Sequence, residues 1–333
     1  MMSRILIVVF LGALAVAPMV MPPYLLTVLI PFFAYAIILF GLNLLFGYGG
    51  QLSFGHAMFV AVGAYAAATS YSVLGVASFE LMLGVAVLAA LCIGIPLALI
   101  ASRFTGIFFG VLTLSFGMLF HSILFKFYNL TGGESGMRVP RPTLLGMELE
   151  AYNKIGFLTG PFYYYCLILL ILLGYLMWRL VRSPYGLHLS ASRDNPVKAL
   201  YLGVRVRWVR TVAFVISAVY GAIGGVMLGV LTGLADPELS YWTHSGHLVF
   251  MTILGGFQQF LGPAVGALVM ILVQDQLMAE TEYWRFFVGL ALAIIVIVLP
   301  GGILGGLRRI KFKQKETKAH EDATQRRPAR STA

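Results

Sequence analysis

Residues 24–46 read YLLTVLIPFFAYAIILFGLNLLF, and no charged side chain interrupts them. Crossing the hydrocarbon of a bilayer takes about 20 such residues in a helix. Comparable runs recur at 5–21, 54–73, 81–101, 104–125, 162–181, 209–231 and 284–300, with a longer one at 246–275. These runs constrain the fold more than any other feature of the chain. A soluble protein of this length must be mostly wetted at its surface. Here 59% of residues are hydrophobic and 11% charged, against about 25% charged in soluble domains. The expected class is an all-α, polytopic helical membrane protein.

A net charge of +10 would point to nucleic acid in a soluble protein, but its distribution excludes that partner. Of 23 Lys and Arg, seven lie between Arg179 and Arg210 and nine between Arg308 and Arg330. Basic residues that connect or follow apolar spans mark the cytoplasmic face. The loop 182–208 and the tail 309–333 are therefore expected inside, the tail as a basic, disordered segment able to touch anionic membrane lipid. The loop 232–246 carries Asp236 and Glu238 with no Lys or Arg, as an external loop should. Parity then requires 246–275 to turn back at Gly255-Gly256 or Gly262-Pro263. The expectation is about ten spans in a transmembrane domain 1–308, both termini cytoplasmic, with 126–160 as a long external connection. Arg4 and Ala13-Leu14-Ala15 resemble a signal peptide and are read as part of a retained first helix.

One stretch interrupts the hydrocarbon, at 41–65: GLNLLFGYGGQLSFGHAMFVAVGAY. A phosphate-cradling loop, a catalytic or metal site, and a break between membrane helices all compete to explain it. No GxxxxGK[ST] occurs, and none of the seven lysines follows a glycine, so a P-loop is excluded. HExxH and GxSxG are absent as well. The six histidines are scattered. Only His244 and His247 share a helical face, and they are expected as a solvated or interfacial pair near an external boundary rather than as metal ligands. Cys92 and Cys166 lie apart in apolar runs and form no framework. The stretch therefore reads as a junction between two spans on the cytoplasmic side. Asn43, Gln51, Ser53 and His56 either line a translocation path or make helix–helix hydrogen bonds of about 0.6 kcal/mol each.

Glycines say how the helices meet. Gly221, Gly225 and Gly229 form GxxxGxxxG, and Gly262 with Gly266 repeats the spacing. Apolar helices gain nothing hydrophobic by leaving lipid for one another, so close approach through small residues supplies the packing. Gly49, Gly50, Gly55, Gly221, Gly225, Gly255, Gly256, Gly262 and Pro263 are the expected packing or hinge positions. A short echo pairs Ser53-Phe54-Gly55-His56-Ala57 with Phe260-Leu261-Gly262-Pro263-Ala264, as duplicated transporter folds do.

Glu80, Asp275, Glu280 and Glu282 all fall near span ends, so no intramembrane carboxylate is available to bind a coupling cation. A transporter with neither that residue nor a nucleotide site takes its energy from another subunit. Residues 182–210, RSPYGLHLSASRDNPVKALYLGVRVRWVR, are long and polar enough to receive it. Ser192 and Asp194 are expected to cap a short helix from Pro196. Ala199, Leu200 and Leu202 give it an apolar side, and Gly203 ends it.

The segment SPYGLHLSASRDNPVKALYLGV resembles the coupling loop of branched-chain amino acid ABC importer permeases, the LivM-like family. GLNLLFGYGGQLSFGHAMFVAVGAY resembles that family's first half, LTGGESG at 130–136 its external loop, and AFVISAVYGAIGGVM at 213–227 its next span. GGFQQFLGPAVGAL at 255–268 is similar to its later glycine motif. The resemblance runs from about 25 to about 305 and implies a type II-like permease in the bacterial inner membrane. It implies a second, LivH-like permease, two ATP-binding subunits that hold ATP and Mg, and a periplasmic solute-binding protein. No cofactor, metal or enzymatic activity is implied for this chain. It further implies coupling to the ATPase through Arg193, Asp194, Asn195, Lys198 and Gly203, with Arg193 offering its fork to the partner and Asp194 capping the helix. A self-sufficient channel or facilitator for a small polar solute is the alternative.

Overall fold

In lipid, peptide groups must be satisfied within the protein, and a helix does so inside one segment. The computed structural model describes residues 2–147, 152–298 and 301–306 and is mostly helical. In chain order the helices are α1 (Met2–Val20), α2 (Pro23–Asn43), α3 (Ala57–Leu74), α4 (Phe79–Ala101), α5 (Ile107–Lys126) and α6 (Tyr163–Val181). Then come α7 (Pro184–Asp194), α8 (Pro196–Tyr201), α9 (Val206–Thr232), α10 (Trp242–Gly255), α11 (Gly262–Glu280) and α12 (Trp284–Val298). A π turn, Leu44–Tyr48, prolongs α2, and Lys154–Phe162 runs into α6. Among the described residues, six helices are long and apolar enough to cross a membrane: α2, α4, α5, α6 with its leading turns, α9 and α11. The expected basic tail 309–333 lies outside the described residues.

Helix α9 is the axis of the bundle, and its residues show which way each neighbour runs. Gly41 of α2 lies against Ser217 and Tyr220, whereas Ala34 and Ile38 meet Gly224, so α2 and α9 are antiparallel. On its other side, Gly221 meets His56 and Phe59, Gly225 meets Val60, and Gly229 meets Ala64. That order makes α3 parallel to α9. The GxxxGxxxG stripe is the α3 contact, and a Cβ on Gly225 would collide with the Val60 carbonyl. Gly94 brings α4 against Ala218.

These contacts correct the expected junction at 41–65. Gly50 packs on Arg193 at the α7 end of the bundle, but His56 sits beside Gly221. Gly221 is about 22 Å along α9 from Val206, at 1.5 Å per residue. Residues 50–56 therefore climb in non-helical conformation from the end of the bundle to its middle, where α3 begins. The expected span 54–73 is α3 for all but its first three residues, and a non-helical approach, 50–56, precedes it.

A second return to mid-bundle follows. After α9, residues 233–241 return from the far end of the bundle. His121 Nδ1 of α5 lies 3.2 Å from the Pro237 carbonyl and 2.9 Å from Ser240 Oγ. At the middle, the Ala57 N–H donates to Ser245 Oγ at 3.0 Å. From there α10 runs beside α2 toward the α7 end, with Tyr35 3.3 Å from His244 and Phe46 stacked on Phe257. Thus α3 and α10 meet N-terminus to N-terminus. The approaches to them differ: 50–56 is non-helical, whereas Pro237–Ser240 before α10 is a tight helical turn. The expected echo does not fall in matching places, because Phe260 and Leu261 lie in the turn after α10 and Gly262–Ala264 open α11.

That turn uses both expected break points. Gly255 ends α10, Gly256 takes φ +108°, and Gly262-Pro263 opens α11. At the far end, residues 127–153 contribute a two-residue antiparallel pair to an otherwise helical fold, β1 (Met137–Arg138) with β2 (Leu234–Ala235).

Candidate functional site

Asn43, Gln51, Ser53 and His56 are all buried. Asn43 closes α2, and its amide lies over Gly47, where a Cβ would strike both it and the Phe257 carbonyl. Gln51 Nε2 donates to the Phe104 carbonyl at 3.4 Å. His56 stands edge-on to Phe59, ring centroids 5.9 Å apart, with Nε2 toward Gly221. Among the described residues, Asn43 Oδ1, Gln51 Oε1 and His56 Nε2 have no hydrogen-bond partner. Gly55 crosses α5 so closely that a Cβ would meet the Thr113 carbonyl. Gly255 and Gly262 likewise press on one another's turn.

The 182–208 loop holds two helices where one was expected. The missed one, α7, starts at Ser183-Pro184, the same proline signal that marks α8. It is fastened to α9 by Tyr185, whose hydroxyl donates to the Val209 carbonyl at 2.8 Å. The cap of α8 is Asn195, whose Oδ1 accepts from the Lys198 N–H at 2.9 Å. Ser192 and Asp194 do not perform that role. Ser192 is buried and its hydroxyl donates to the Leu189 carbonyl, while Asp194 is exposed, 3.8 Å from Arg193. Gly203 follows α8 at φ +83°, in the left-handed conformation of a helix stop.

Arg193 keeps about 35% of its side chain exposed and also reaches inward. Its guanidinium donates to the Gly47 carbonyl, and its stem occupies the space a Cβ on Gly50 would need. Behind it, Arg210 of α9, 9% exposed, donates to the Ser192 carbonyl at 3.0 Å. Sequence reasoning gave Arg210 only a topological role. The end of α8 is an exposed apolar tip on an otherwise polar loop: Leu200, Tyr201 and Leu202 present 63%, 85% and 82% of their area.

His244 is not at a boundary. It lies inside, with Nδ1 2.8 Å from the Leu239 carbonyl and Nε2 facing Tyr35. Among the described residues no group of three or more His, Cys, Asp or Glu is placed to hold a metal.

Helices that meet N-terminus to N-terminus at the middle of an apolar bundle, with a polar loop at one end, resemble the interrupted helices of transporter folds. The comparisons give the family. The model described as "Branched-chain amino acid transport system / permease component" matches residues 24–299, and the chain belongs to that family. It is 27% identical over 305 residues to the high-affinity branched-chain amino acid transport system permease protein LivM of Escherichia coli K12, covering 86% of this chain and 72% of the relative. It is 25% identical over 198 residues to the autoinducer 2 import system permease protein LsrC of E. coli O9:H4, covering 56% and 54%. LivH of E. coli K12 matches at 32% over 127 residues, 37% of this chain and 40% of the relative. No solved structure matches significantly. The chain is a multi-pass membrane protein and the permease subunit of an ABC importer, and not itself an enzyme.

Proposed function

We propose that this chain is the LivM-like half of an inner-membrane importer for branched-chain amino acids or related small amino acids and amides. It pairs with a LivH-like permease, two ATP-binding subunits and a periplasmic solute-binding protein. The chain crosses ten times: α1, α2, 49–56 with α3, α4, α5, α6, α9, 233–241 with α10, α11 and α12. Both termini are then cytoplasmic, as are α7 and α8. The observation that carries the reading is the exposed Leu200-Tyr201-Leu202 tip on a capped helix. An apolar tip on a polar loop is costly in water and suited to a groove in a motor subunit.

At the opposite face, a cleft of about 260 Å³ is lined by Arg138, Arg141, Lys154, Phe157, Thr232 and Gly233 among others. Among the described residues its lining has no carboxylate, which suits an acidic side chain of the binding protein. The test is reconstitution in liposomes. The chain with its co-expressed permease and ATPases is expected to take up labelled leucine only with ATP inside and binding protein outside. ATP-independent flux through this chain alone would overturn the reading in favour of a self-sufficient channel.

A further inference from the structure

We propose that Arg193 and Arg210 are positioning residues of a relay that carries displacement of the α7–α8 loop to residues 47–56. The inference rests on the reading that this loop docks an ATPase. The last carbonyls of a helix lack intrahelical partners. In the final turn of α7, the Asn195 N–H takes the Ala191 carbonyl, and Arg210 takes that of Ser192 at 3.0 Å. A cation is favoured there by the helix dipole as well. With Tyr185 bonded to Val209 at the first turn, α7 is fixed to α9 at both ends and moves with it.

The adjacent residue, Arg193, turns the other way. In the π turn that ends α2, the carbonyls of Leu44, Leu45 and Phe46 accept from the N–H groups of Gly49, Gln51 and Gly50. The Gly47 carbonyl accepts from Arg193 instead. Gly50, at φ +66° and without a side chain, leaves the groove in which the Arg193 stem lies. Among the described residues this is the side-chain hydrogen bond that joins the loop to 44–56. From Gly50 the chain climbs to His56 and to Ala57, whose N–H is held by Ser245 of α10. A push on α8 therefore reaches the midplane junction through Arg193, while Arg210 keeps the turn that presents it.

The experiment is hydrogen exchange on the full complex, co-purified with its second permease and ATPases, with and without vanadate trapping of ATP hydrolysis. In wild type, trapping is expected to alter exchange of both 184–201 and 47–56. In Arg193→Met, the change over 184–201 persists and that over 47–56 is lost, with uptake down by at least about tenfold, inside the usual range of coupling between sites. Arg193→Lys, which still reaches a single carbonyl, restores part of the 47–56 response. Arg210→Met weakens it, and the double variant is no worse than Arg193→Met, since members of one network do not add. A 47–56 response that survives in Arg193→Met overturns the relay. Absence of any 184–201 response in wild type overturns instead the docking reading on which it rests.

Discussion

At the scale of single residues, the unusual feature is polar atoms buried without partners. Among the described residues six such atoms occur, and four of them, on Asn43, Gln51, His56 and Tyr65, lie in the stretch 41–65. Buried amide and imidazole groups are costly inside a membrane bundle and mark candidate pathway residues. Gln51→Leu and His56→Leu are therefore expected to leave the melting midpoint of the purified complex unchanged or raised, while lowering leucine uptake by at least about tenfold, a change of about 1.4 kcal/mol. Unimpaired uptake in both variants would make these residues packing groups only.

At the scale of elements, capping decides how well the loop is presented. Asn195 satisfies the Lys198 N–H, and α8 is only one and a half turns long. Asn195→Ala should destabilise α8 by about 0.5–2 kcal/mol. The expected result is faster hydrogen exchange over 197–202 and weaker ATPase retention on purification. Asp194→Ala, exposed and uninvolved in the cap, should change neither. The helix from Pro196, its stop at Gly203 and the break at Gly255–Gly262 were legible in the sequence because proline and glycine announce them locally. The cap was placed one to three residues early, since Ser192, Asp194 and Asn195 are all competent caps and only Asn195 takes the extended backbone. The meeting of α3 and α10 at mid-bundle was not legible. The contact of Ala57 with Ser245 joins residues far apart in the chain, and no local pattern announces it. The inward bond of Arg193 to the Gly47 carbonyl was not legible for a similar reason, because no local pattern reveals that this carbonyl is free.

At the scale of the whole molecule, two returns to the middle of the bundle bring the buried polar groups, the glycines and the loop together. After α2 and again after α9 the chain comes back, through 49–56 and 233–241, and starts a helix at mid-bundle. The first return, 49–56, is held at its outer end by Arg193, and the second, 233–241, by the pairing of Met137 with Ala235. The two returns end where Ala57 N–H meets Ser245 Oγ at 3.0 Å. A bundle built this way opens toward one face or the other by parting that contact while the long helices keep their packing. A tether across it should then stop the cycle. With Ala57→Cys and Ser245→Cys together, oxidation is expected to abolish uptake while ATP hydrolysis continues uncoupled, and reduction to restore uptake. Either single cysteine should be insensitive to oxidant, which separates the tether from damage to the fold. Full uptake by a complex shown to be crosslinked would mean that the midplane contact is a static part of the core and that the moving surface lies between this chain and its second permease.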